Sequence, residues 1–117
     1  MKILTTIFAI FLLVTIFSCQ HAAQYDCTGV TPTYTTDVKP ILDSYCAMPE
    51  MGCHGANGAS GIKLGDFAGA SAASSKKSFM GSIEHLNTYQ NMPKGGVKMP
   101  DPVIHILACW VANGSPE

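Results

Sequence analysis

The chain contains no arginine, and its charged residues make up only 13% of the total, with no block of one sign. A nucleic-acid surface normally needs a basic stripe, so that class of partner is excluded. Strand-like alternation of apolar and polar residues is missing throughout, which removes sheet architectures. No histidine or carboxylate pair is placed as a clear distal acid–base couple, so the sequence offers no enzyme mechanism of its own. There is one long apolar run, from Ile3 to Phe17, and it is too short for a comfortable membrane span.

That run follows Met1-Lys2 and ends at Ile16-Phe17-Ser18-Cys19, which has the layout of a secretory signal. Its end resembles a bacterial lipobox. The resemblance implies cleavage after residue 18 and acylation of Cys19, with each buried methylene contributing roughly 0.8 kcal/mol to anchoring. The expected organisation is a signal peptide over 1–18, a lipidated tether over 19–34 and one domain over 35–117. Without Lys2 the acids exceed the bases by two. Four cysteines remain after Cys19, and an oxidising compartment favours disulfides, thioethers or metal ligation for them.

Helical spacing organises the rest. Asp37 is a good N-cap with Pro40 close behind, and Val38, Ile41, Leu42 and Tyr45 fall on one face of a helix that delivers Cys46. Residues 47–61 are rich in Gly, Ala, Asn and Ser and read as a loop. A weak helix is expected over 67–73. A better one runs from Lys76 or Lys77 to Leu86, with Phe79, Met80, Ile83 and Leu86 as its apolar face. Residues 87–100 form a second long loop. Asp101-Pro102 starts the last helix, its stripe is Val103, Ile106, Leu107, Trp110 and Val111, and Gly114 stops it. The expectation is an all-α domain of three to five short helices. So small a core usually requires a staple or a cofactor.

Cys46 and Cys53-His54 supply the chemistry. Two cysteines followed at once by histidine read as a haem c attachment site: two thioether anchors and an imidazole beside the second. Six residues separate the cysteines here, where the usual signature has two. His54 would bind one face of the iron. For the other face the second loop offers Met92-Pro93 and Met99-Pro100.

Over residues 34–116 the chain resembles small class I c-type cytochromes, most closely short domains of exported proteins from Bacteroidetes-type and Planctomycetes-type bacteria. Asp37-Val38-Lys39-Pro40-Ile41-Leu42, Cys53-His54-Gly55, Met92-Pro93-Lys94-Gly95-Gly96 and Trp110-Val111-Ala112-Asn113-Gly114 carry the resemblance. It implies a cytochrome c-like fold around one haem c, with thioethers at Cys46 and Cys53. In the family the ligand methionine lies well upstream of the closing aromatic. Met92 precedes Trp110 by 18 residues and Met99 by 11, so the expected axial pair is His54 and Met92, with Met99 as the alternative and His85 behind it. His105 reads as a partly exposed helix residue, and His21 lies in the tether.

With Cys46 and Cys53 on the haem, Cys27 and Cys109 are left to form a disulfide across a loop of about 80 residues, worth about 2–4 kcal/mol. The competing pairing is Cys46–Cys53 as a plain disulfide in a haemless envelope lipoprotein, a binding or accessory module. A zinc site on Cys46, Cys53 and His54 is disfavoured because adjacent Cys-His is awkward on one small ion. The expected function is single-electron transfer at the cell envelope, on the periplasmic side of the outer membrane. The expected partners are the bilayer, through Cys19, and a redox protein that docks at Lys94 and Lys98. The extra residues Ala47–Gly52 either simply bulge or contribute something, such as Met48 or Met51 near the haem edge.

Overall fold

A computed structural model describes residues 24–48 and 53–117. The signal segment, Cys19, His21 and Met51 lie outside them. The described residues form short helices and no strand, so the domain is all-α. Helix α1 spans Lys39–Tyr45 and is preceded without a break by a wider turn over Tyr34–Val38. Helix α2 spans Phe67–Ser74, α3 Lys77–Ile83 and α4 Asp101–Ala112. A single 3-10 turn lies at Ala59–Gly61.

The first helical segment begins earlier than its N-cap signal implied. Asp37 sits a turn inside it, and its carboxylate reaches back to accept the Thr33 N–H at 2.9 Å. An acid at that position satisfies an orphan donor and is favoured by the positive end of the helix dipole, so the same residue type serves from within. Asp66 does cap α2, accepting the Gly69 N–H at 2.8 Å. Asp101 is the first residue of α4 rather than its cap, which is Pro100. Helix α3 stops at Ile83, short of Leu86, because His85 turns into the left-handed region at φ +59° and the Leu86 N–H folds back onto the Gly81 carbonyl.

The core gathers around Trp110, which is fully buried with Leu42, Ile104, Leu107 and Val38. Tyr34 and Phe79 pack tilted against the indole, at ring-centroid distances of 6.2 and 6.4 Å. Ile104 takes the central place that the expected stripe gave to Ile106, which is half-buried. Ile104 stands three residues before Leu107 and Ile106 four before Trp110, so each matches one member of the stripe and periodicity alone does not separate them. Gly114, at φ +84°, closes α4: its N–H donates to Val111 and the Ser115 N–H to Trp110, the paired bonds of a Schellman ending. The chain then returns to the core. The Pro116 carbonyl accepts both the Tyr34 N–H at 2.9 Å and the indole N–H of Trp110 at 2.8 Å.

A second face of α4 holds the segment before the helices. His105, Cys109 and Asn113 recur every four residues. His105 Nε2 donates to the Asp26 carbonyl at 2.8 Å, Cys109 is disulfide-bonded to Cys27, and Asn113 donates to the Val30 carbonyl at 2.9 Å. The Tyr25 ring stacks on the His105 ring, with centroids 5.7 Å apart. Residues 25–30, read as tether, are thus fastened to the domain.

Candidate functional site

The end of α1 fixes the first cysteine. The Cys46 and Ala47 N–H groups both donate to the Leu42 carbonyl, at 2.8 and 2.7 Å, which tightens the last turn and buries both residues. The Cys46 carbonyl then accepts the His54 N–H at 2.8 Å. One hydrogen bond therefore joins the two ends of the enlarged gap. Residues 49–52 of that gap lie outside the described residues, and Met48 at its start is half-buried.

Beyond the bond, the chain wraps closely on itself. The Cys53 carbonyl accepts from Ala59 and the His54 carbonyl from Leu64, at 3.3 and 2.7 Å. Gly55 lies close to the chain: a Cβ there would stand 3.0 Å from the Ala47 carbonyl oxygen, a tight contact that the backbone would have to relieve by a few tenths of an ångström. The close neighbour at this glycine is thus the chain itself.

The His54 ring is half-buried, and its Nδ1 lies 3.1 Å from the Ile62 carbonyl oxygen. A carbonyl only accepts, so Nδ1 is the donor, and in the neutral ring Nε2 is left with the lone pair. This is the tautomer of a metal-binding imidazole, held by the second partner such ligands normally have. Cys46 and Cys53 are thiols. Burial, and then the charge of nearby Cys53, push the Cys46 thiol up to about 11, so it is protonated at neutral pH. A Cys46–Cys53 bridge, which the haemless two-disulfide alternative requires, is not formed.

The methionines separate by environment. Met99 is 3% exposed and belongs to the core. Met92 is half-buried in the second loop, and both of its backbone polar groups are bonded to the end of α3. His85, the third candidate, engages its Nε2 with the Met92 carbonyl at 3.0 Å. The structure brings Cys46, Cys53 and His54 together in one unit, while Met92 sits in another. Both are continuous with one core, through Cys46 and Leu64 in the first and Ile83 and Met99 near the second.

Among the described residues, the three metal-ligating side chains that cluster within 4.8 Å are Cys27, His105 and Cys109, not the residues of the zinc reading. Their sulfurs are bonded to each other, which removes the thiolates a metal would need. Sequence reading ranked His85 as a third ligand candidate and His105 as a partly exposed helix residue, and missed that each clamps a backbone carbonyl. The four-residue recurrence of His105, Cys109 and Asn113 was the available signal for the second; nothing comparable marked the first.

The chain matches no family model, no curated protein and no solved structure. Among the described residues no helix is long and apolar enough to cross a membrane.

Proposed function

We propose that this is a monohaem c-type cytochrome with a cytochrome c-like fold, an electron carrier rather than an enzyme. One observation carries the reading. His54 donates Nδ1–H to a backbone carbonyl while its own N–H is bonded to the carbonyl of Cys46. The imidazole is thereby preset as a ligand beside two cysteines that stay out of the disulfide. The donor set fits the group: Cys46 and Cys53 would form the thioethers, His54 Nε2 one axial bond and the Met92 sulfur the other. A bound haem c supplies a one-electron couple, whose ferrous state a methionine ligand favours relative to two histidines. With His54 and Met92 holding the iron, the group would supply single-electron transfer rather than oxygen or peroxide activation.

The carrier is placed at the bacterial envelope through acylated Cys19, on the periplasmic side of the outer membrane. Lys94 and Lys98 are exposed in the methionine loop, with Val97 between them 90% exposed. Two cations around a bare apolar side chain suit a redox partner with an acidic docking face.

The test is expression of the full chain with cytochrome c maturation machinery, followed by intact mass and a reduced spectrum. One added haem mass that survives thiol reduction, with a sharp reduced α band, is expected. Met92→Ala should remove the weak sulfur-to-iron absorption at the red end of the ferric spectrum, and Met99→Ala should keep it. Absence of haem mass would overturn the reading in favour of an accessory lipoprotein.

A further inference from the structure

The end of α3 forms a bracket around one residue of the second loop. The Met92 N–H donates to the Ser82 carbonyl at 3.0 Å, and the Met92 carbonyl lies 3.0 Å from His85 Nε2. The carbonyl accepts, so Nε2 is the donor, and neutral or cationic imidazole serves equally. His85 reaches it from φ +59°, a left-handed conformation uncommon for a residue with a side chain. The chain between His85 and Met92 folds back tightly. Leu86 N–H bonds to Gly81 and Tyr89 N–H to Leu86, each at 2.9 Å. The Tyr89 ring lies where a Cβ on residue 81 would be, at 2.2 Å, so this return requires Gly81. Three independent features therefore converge on one outcome, a fixed backbone at Met92.

We propose that His85 is a positioning residue for Met92, acting through its backbone to keep the methionine sulfur available as a ligand. The proposal rests on the haem reading above. A thioether is a weak neutral ligand on a side chain with three rotatable bonds. Its hold on a metal depends on how little freedom remains to be lost on binding. Fixing both backbone groups of Met92 removes the freedom of the chain that carries it. Without the His85 bond one jaw opens, and an external ligand competes better for the same position.

The experiment measures imidazole affinity of the ferric holoprotein, together with the weak sulfur-to-iron band, in four variants. His85→Asn tolerates the left-handed φ but is too short to reach the carbonyl. His85→Gln places an amide N–H at about the position of Nε2. His105→Ala loses an equivalent bond to a carbonyl elsewhere, and Met92→Ala removes the sulfur. Expected for His85→Asn is imidazole binding about five- to tenfold tighter and a weakened band, the effect of one lost hydrogen bond. His85→Gln should restore the parent affinity, and His105→Ala should leave it unchanged while lowering thermal stability. Equal affinity in His85→Asn and the parent would overturn the proposal, as would the same increase in His105→Ala. Unchanged affinity in Met92→Ala would remove the methionine assignment, and His85's role with it, while leaving the haem in place. A chain without covalent haem would overturn both readings at once.

Discussion

Two cysteines seven positions apart have different chemical surroundings. Cys46 ends a helix and is 8% exposed, whereas Cys53 is half-buried in a loop. With its thiol near 11, Cys46 at pH 8 is thiolate on the order of one molecule in a thousand, and thiolate is the nucleophile. In haem-free protein, iodoacetamide should label Cys53 well before Cys46 at pH 8, read by peptide mass. Cys46 labelling should climb about tenfold per pH unit as pH approaches 11, since deprotonation increases in that direction. Equal rates at pH 8 would show that Cys46 is not shielded. The residue types of the candidate site were legible in the sequence, because Cys and Cys-His carry their chemistry wherever they fold. The proton on His54 was not legible: it is set by the Ile62 carbonyl, eight residues away in a loop without periodicity.

At the scale of elements, α4 works on two faces. Ile104, Leu107 and Trp110 enter the core, while His105, Cys109 and Asn113 hold residues 25–30. The disulfide closes a sequence separation of 82, so removing it restores much entropy to the unfolded chain. Paired Cys27→Ser and Cys109→Ser replacements should cost about 2–4 kcal/mol in chemical denaturation. His105→Ala should cost about 1 kcal/mol, the worth of a single hydrogen bond. Hydrogen exchange in residues 25–30 should rise in the double variant, and unchanged exchange would mean that the remaining contacts hold the segment alone. Helix existence was largely readable: α1, α3 and α4 fall where apolar spacing places them, and α2 where a weak helix was expected without such a stripe. Helix ends were not. Asp37 and Asp101 act from inside their helices, and α3 ends early because long-range bonds at Ser82 and His85 compete with another turn.

For the molecule as a whole, charge is sparse and nearly balanced, with a formal net of −1 over the full chain. Long-range steering then depends on where the few lysines lie rather than on their number. Lys94 and Lys98 flank exposed Val97, and Lys98 makes only a long 3.9 Å pair with exposed Asp101. Lys94→Glu with Lys98→Glu should slow electron exchange with an acidic redox protein by about tenfold at low salt, and the difference should shrink as salt screens it. Stopped-flow rates at two ionic strengths check this, and equal rates would dismiss the docking edge.

The single bond from the His54 N–H to the Cys46 carbonyl has a broader consequence. It makes the spacing of the motif and the placement of its ends separate quantities. Chain can be added between them while the two partners of that bond stay the same, and each doubling of a closed loop costs only about 0.6 kcal/mol. Spacing is therefore open to evolutionary drift while the bond is held. For the protein engineer, this bond marks a port: short peptides grafted between Cys46 and Cys53 would leave the imidazole where it is.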